Sequence, residues 1–527
     1  MWPFFDELPS YPLVRFAGDS EAEVRRLASD VFRLKDFTVT SGHDGDVFIA
    51  TERDSQRVVE WHPNAGVIWF ADWARLWNPD ERPTLPPADK ARADGEQFLR
   101  DHGLLPTSSP GFCVTICPPH SSGTLRTKPG EGTPSLPLDV HVALPVTVKD
   151  AKGKDVPLAG RGTKWSVTYG HEGRLINCLA GRLRLAGNPT FSRVVSLKDI
   201  FELLLRVLLK HKKFEVSVVY ERLQDAENVD WLMPMYLVHI ETESLSRLVR
   251  FPASEHSQRL LTGLQTKFAR VDTLRLNAEQ TVRMVREQGL GRSLGLGAAW
   301  SREDKDPYGL KSEETRAFIE EMQQQHWRMC EFDDAAALEQ HWNAQRDDFV
   351  EQADFAHYTG HAGQNGWDLQ SPADTTLDPS DVDDRPYGRE FVNWIMISAC
   401  GPLQDPAILP STDGTAASRW FDAFGGLLGL CGFASQSLGR TDMGTVLARA
   451  LQDYSVPRAW FRACRECQPL VVDEDLTDGF GIWAATFTAD EANEKGVRVF
   501  DMRLTDGLGS GRRRERPAHV LGMWTPV

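Results

Sequence analysis

The 527-residue sequence contains no run approaching the roughly 18 uninterrupted apolar residues of a membrane helix, which argues against a membrane-spanning protein. Its first residues, MWPFFDELPSYPLVRF, lack a basic segment and a long apolar stretch and carry two early acids, unlike a secretory leader. Eight Cys in a chain of this length is ordinary usage, not a disulfide framework, so reduced thiols and a cytoplasmic setting are expected. Positive charge is also short. With 59 Lys and Arg against 75 Asp and Glu the formal charge is −16, the opposite of the clustered positive charge a nucleic-acid binder needs. No nucleic-acid or membrane partner is expected.

Apolar residues are not scarce. They make up 41% of the chain, with 16 Trp and 26 Phe, enough for packed cores in the two or three domains this length implies. Residues 20–36 and 88–102 have helical spacing, and 46–50, 57–61 and 66–70 have strand-like composition. Trp61, Trp69, Trp73 and Trp77 suit an amphipathic core; a sugar or base platform is the alternative. A Pro-, Gly-, Ser- and Thr-rich stretch at 118–136 reads as a linker or long loop. Beyond it, alternating segments at 140–146, 164–169, 214–220 and 233–240 flank an apolar helix at 197–209. Residues 241–292 read as a charged helical connector. This gives an α+β module at 1–117, a second at 118–240, the connector, and a further domain at 293–527.

In that last domain strand-like and helical segments alternate: strand 294–300, a helix after Ser312, strand 327–332, helix 335–345 and strand 349–358. Such alternation predicts an α/β domain with a doubly wound, mostly parallel sheet, whose ligands sit outside the carboxyl ends of the strands. Two blocks fall at that edge. Residues 354–363 (DFAHYTGHAG) deliver His361, and residues 394–404 (WIMISACGPLQ) deliver Cys400 just before Gly401. An imidazole and a thiol at neighbouring strand ends have the chemistry of a nucleophile and its proton partner. Adjacent glycines would let a substrate carbonyl reach backbone N–H groups.

These blocks resemble the caspase, gingipain and legumain clan of cysteine peptidases, in which a His-Gly block follows one strand and an Ala-Cys block the next. The longer YTGH and SACGPLQ signature is similar to an uncharacterised bacterial family of that clan. The resemblance implies a caspase-like sheet and a Cys400–His361 dyad acting on a protein or peptide without a cofactor. It implies oxyanion contacts from the backbone around Ala362, Gly363 and Gly401, and substrate contacts from Gln364, Trp367 and Ser398. Two departures stand out. Ala362 takes the place of the usual glycine after the histidine, and Ser398 stands where metacaspase-like enzymes carry an acid that reads Arg or Lys. The pattern of helix, hairpin and loop in the front half resembles the PepSY module, found in propeptides and other protease-associated regions. It implies that the N-terminal region regulates the peptidase or positions its substrate. The alternative is a non-catalytic scaffold with a degenerate caspase-like domain.

Three other features have bland readings. His357 and His361 could form a metal pair only on a helix, which Thr359-Gly360 disfavour, so His357 is expected inside a strand as a supporting residue. The acid-rich 374–384 lacks the central Gly and final Glu of an EF-hand and reads as a solvated loop. Cys464 and Cys467 are a lone C-x-x-C, one helical turn apart, and no metal is expected there. After the cysteine block, 420–432 reads as a Gly-rich apolar helix, 432–436 as a short strand, 443–454 and 460–467 as helices, and 480–487 as a strand.

Overall fold

A computed structural model of the chain describes residues 7–14, 16, 20–42, 45–109, 111–127, 135–150, 153–195, 213–224, 229–241, 246–259, 294–299, 310–333, 339–343, 349–369, 376–382, 384–409, 412, 414–470, 482–493, 495–506 and 516–527. The expected helix at 197–209, most of the connector 241–292 and part of the acidic loop 374–384 lie outside the described residues.

Short connections decide the front half. Strands Phe37–Ser41, Phe48–Glu52, Arg57–His62 and Val67–Asp72 follow one another with only four to six residues between them. Links this short permit only antiparallel hairpins. The sheet continues through Leu175–Gly181, Trp165–Tyr169, Val140–Ala143 and His120–Ser122, antiparallel throughout. A second eight-stranded sheet is centred on the long hairpin Lys213–Gln224 and Asp230–Glu241 and also takes Glu7–Leu13 from the start of the chain. Pairing of Val67–Asp72 with Leu175–Gly181 runs across the expected boundary at 117/118.

The third sheet carries the His and Cys blocks. Its order is Arg328–Asp333, Leu294–Ala299, Phe355–Thr359, Trp394–Ser398 and Gly429–Phe433, all parallel, then Trp483–Ala489, Val520–Pro526, Leu125–Thr127 and Leu136–Pro137, all antiparallel. The expectation of a doubly wound, mostly parallel α/β sheet is therefore corrected: the protein is mostly β, and its large sheets are predominantly antiparallel.

The switch comes after the last parallel strand. After Gly429–Phe433 come two successive helices, Thr441–Asp453 and Val456–Cys467. Trp483–Ala489 then pairs with Gly429–Phe433 in the opposite direction. The expected helix at 420–432 is also corrected. Gly425 and Gly426 follow a helix that ends at Trp420, and the chain resumes as strand Gly429–Phe433. A side chain at Gly429 would put Cβ 2.3 Å from the Trp394 ring, so glycine is what lets these two strands pair.

Helix Val456–Cys467 is buried almost throughout because a sheet covers each face. Toward the third sheet, Trp460 donates its indole N–H to the Gly432 carbonyl at 3.1 Å. Toward the front half, Arg462 donates to Glu60 of strand Arg57–His62 at 2.9 Å, and Tyr454 donates to the same carboxylate at 2.6 Å. Arg161 pairs with Glu466, and Lys164 donates to the Arg465 carbonyl at 2.8 Å. Desolvated charges are tolerable only when matched in this way. Burial alone would push the Glu60 carboxyl up, but Arg462 and His62 hold it well below its usual range. Trp61, Trp69, Trp73 and Trp77 are all buried, and Trp77 meets Phe461 and donates to the Thr525 hydroxyl. The tryptophans are core, not a platform, and the front half shares that core with the third sheet.

Candidate active site

The parallel register brings the two blocks together. Phe355 pairs with Trp394, and the ladder runs residue for residue to Thr359 opposite Ser398. His361 and Cys400 each lie two residues past that last pair, at the carboxyl ends of adjacent parallel strands. Each strand is buried along its whole length, so the first positions free of the ladder are those of the two blocks.

After His361 the chain folds into a hairpin, Ala362–Gly363 against Gly366–Asp368, extended by Thr376–Leu377. The His361 carbonyl accepts from the Asp368 N–H at 2.8 Å and from the Tyr358 hydroxyl at 3.2 Å. This fixes the backbone on both sides of the imidazole. After Cys400 the chain turns sharply: Gly401 has φ of +69°, and its carbonyl accepts from the Gln404 N–H at 3.2 Å. That left-handed conformation is strained for a residue with Cβ. The turn is pinned by the Trp420 indole, which donates to the Pro402 carbonyl at 2.8 Å, and by Leu403 N–H to Phe433 at 3.0 Å.

The thiol meets a third strand end. Cys400 Sγ accepts from the Ser437 N–H at 3.3 Å and donates to the Ser437 carbonyl at 3.4 Å. Ser437 belongs to the loop after Gly429–Phe433, the next parallel strand. Cys400 keeps 6% of its surface exposed and His361 5%.

The expected substrate contacts are placed differently from one another. Gln364 is half-buried in the hairpin turn. Trp367 is fully buried, stacked on Trp420 at 5.2 Å and edge-on to Trp342. Ser398 is also fully buried, its hydroxyl 4.0 Å from the Met443 sulfur. A substrate would reach neither directly. Ala362 is buried and Gly363 half-buried, and their hairpin pairs them with Trp367 and Gly366. His357 lies inside strand Phe355–Thr359, its ring stacked on Phe318 at 4.3 Å. Burial lowers its pKa to about 3, so it is a neutral core imidazole.

Three contributors had no sequence signal strong enough to single them out. Ser437 sits in a Ser- and Gly-rich turn that reads like any loop. Gln468, just past the buried helix, accepts from the Leu438 N–H at 2.8 Å and donates to the Leu438 carbonyl at 2.9 Å. Arg440 closes the same loop and lies at the N-terminus of helix Thr441–Asp453. Among the described residues no group of three or more His, Cys, Asp or Glu is placed to hold a metal ion. Cys464 and Cys467 are both buried, and burial pushes both thiols up. An open concavity of 360 Å³ in the front half, lined by Arg75, Asn78, Asp80, Glu81, Arg82 and His171, includes none of the site residues.

Among the described residues no helix is long and apolar enough to cross a membrane. Residues 301–503 match a family model described as a domain of unknown function, DUF6345, a span that contains both His361 and Cys400. No curated protein matches the chain. Solved structures similar to it include an uncharacterised protein from Eubacterium rectale, at 9% identity and a TM-score of 0.29, over 47% of this chain and 84% of that one.

Proposed function

We propose that the protein is a cysteine peptidase in which Cys400 is the nucleophile and His361 its proton partner. The observation that carries this reading is the register: a thiol and an imidazole stand two residues beyond one paired position on adjacent parallel strands. The resemblance of the two blocks to the caspase, gingipain and legumain clan supports the same roles. In the reaction the Cys400 thiolate attacks the peptide carbonyl carbon, forming the C–S bond of a tetrahedral intermediate. As the C–N bond breaks, the His361 imidazolium gives its proton to the leaving amine. Water then hydrolyses the thioester, its proton passing to His361; an incoming amine in place of water would give peptide ligation. Backbone N–H groups near Cys400, Gly401 and Gly363 are the proposed oxyanion donors.

Attack requires the carbonyl carbon within about 3–3.5 Å of Sγ. At 6% exposure of Cys400, the chain over the thiol must move before a peptide can reach it. The N-terminal region is proposed to regulate that access. Near-complete burial of both side chains also favours a second reading, a non-catalytic interaction scaffold. Cleavage of unfolded casein and of a mixed peptide pool by wild type, Cys400→Ala and His361→Ala separates the two. The peptidase reading expects cleavage by wild type alone. Cleavage that persists in Cys400→Ala refutes Cys400 as the nucleophile, and none by wild type supports the scaffold.

A further inference from the structure

The loop that holds the Cys400 thiol is tied to the front half of the chain by a buried charge pair. Leaving strand Gly429–Phe433, the chain runs through Ser435, whose hydroxyl accepts from the Trp483 N–H at 2.7 Å, to Ser437 on the thiol and Leu438 on Gln468. It ends at Arg440, which is 2% exposed. The Arg440 guanidinium grips Asp442 through Nε and Nη2, both at 2.9 Å, and donates through Nη1 to Glu221 at 2.5 Å. Its backbone N–H donates to Glu314 at 2.8 Å. Asp442 and Glu314 belong to the same part of the chain as the site. Glu221 does not: it lies on strand Lys213–Gln224 in the second front-half sheet, beside Ala159. It is 1% exposed, and its Arg440 contact spans 219 residues of sequence.

A guanidinium holds two carboxylates in a fixed plane, so its position sets that of the backbone carrying it. Only Leu438 and Gly439 separate Arg440 from Ser437, and Leu438 is clamped at both N–H and carbonyl by Gln468. The segment is therefore short and has little slack.

We propose that Glu221, acting through Arg440, is a positioning residue that seats the Ser437 loop on the Cys400 thiol and so sets substrate access. This rests on the reading of Cys400 as a nucleophile and gives the regulation by the N-terminal region a residue. Loss of the Glu221 carboxylate frees one arm of Arg440, loosens the turn at Ser437 and uncovers the sulfur.

The test is site-resolved alkylation of the full chain by iodoacetamide at pH 8.5, followed by peptide mass spectrometry. Exposed Cys113 is the internal standard and buried Cys464 and Cys467 are the controls for unfolding. In Glu221→Gln the Cys400 rate relative to Cys113 is expected to rise about tenfold, with Cys464 and Cys467 still protected. Glu60→Gln is the matched control, since it breaks a buried Glu–Arg pair between the front half and helix Val456–Cys467 without touching Arg440. If Glu221→Gln does not fold, Glu221→Asp keeps the charge and withdraws it by one methylene, and a smaller rise is expected. An unchanged Cys400 rate in the folded Glu221 variant, or an equal rise in Glu60→Gln, overturns the proposal. Because alkylation reports access and not catalysis, a rise without Cys400-dependent peptide cleavage would leave the latch standing and refute the peptidase reading instead.

Discussion

His357 gives the sharpest stability prediction. It is fully buried mid-strand, stacked on Phe318, with no hydrogen-bond partner for either ring nitrogen among the described residues. Burial lowers its pKa from 6.5 to about 3. The fold therefore holds the neutral imidazole, and its contribution is complete above pH 6.5 and lost as pH falls toward 3. In that window the unfolded chain gains a proton that the folded chain refuses. The loss is about 2 kcal/mol at pH 5 and about 3 kcal/mol at pH 4. At roughly 2 cal/mol/K per residue, a cooperative chain of this length has an unfolding entropy of about 1.1 kcal/mol/K. The corresponding shifts in Tm are about 2 °C and about 3 °C. His357→Leu removes the titration while keeping a comparable volume. Scanning calorimetry of wild type and variant at pH 8, 5 and 4 should show the variant's Tm advantage growing by these amounts as pH falls. Other buried histidines, His62 and His141, are common to both proteins and cancel in the difference. Parallel Tm curves would refute the assignment of His357 as a neutral core residue.

Other consequences are equally concrete. Gly444→Ala should destabilise by about 1–3 kcal/mol in urea unfolding, because the new Cβ would lie 2.2 Å from the Glu314 carbonyl where two helices meet; a neutral effect would show that those helices can separate freely. Gly401→Ala should cost about 1 kcal/mol from its left-handed φ, and its Cys400 alkylation should change as well; neither would change if the turn were relaxed. Expressed alone, 293–527 should be insoluble or unfolded, since Arg462 and Glu466 lose Glu60 and Arg161 and the third sheet loses Leu125–Thr127; a soluble, cooperatively melting fragment would contradict the shared core.

The strands bearing the two blocks were legible because each is short, apolar and closed by a small residue. His357 was legible because Thr359-Gly360 excludes a helix. Sheet direction beyond Gly429–Phe433 is set by long-range pairing with Trp483–Ala489, which local composition does not report. The Gly-rich apolar sequence at 420–432 suits a strand closely packed on Trp394 as well as it suits a helix. The resemblance implies a substrate contact at Trp367, whereas its indole faces Trp420 in the core. The Glu221–Arg440 and Glu60–Arg462 pairs join residues hundreds of positions apart. Periodicity and spacing carry no signal at that range.

The dyad itself is tested most directly by the Cys400 alkylation rate at pH 6 in wild type and in His361→Ala. A thiol of ordinary pKa is only about 0.3% ionised at this pH. If His361 takes its proton, Cys400 should react at least tenfold faster in wild type than in the variant, with Cys113 unchanged between them. Equal rates at Cys400, or a faster rate in the variant, would contradict the pairing.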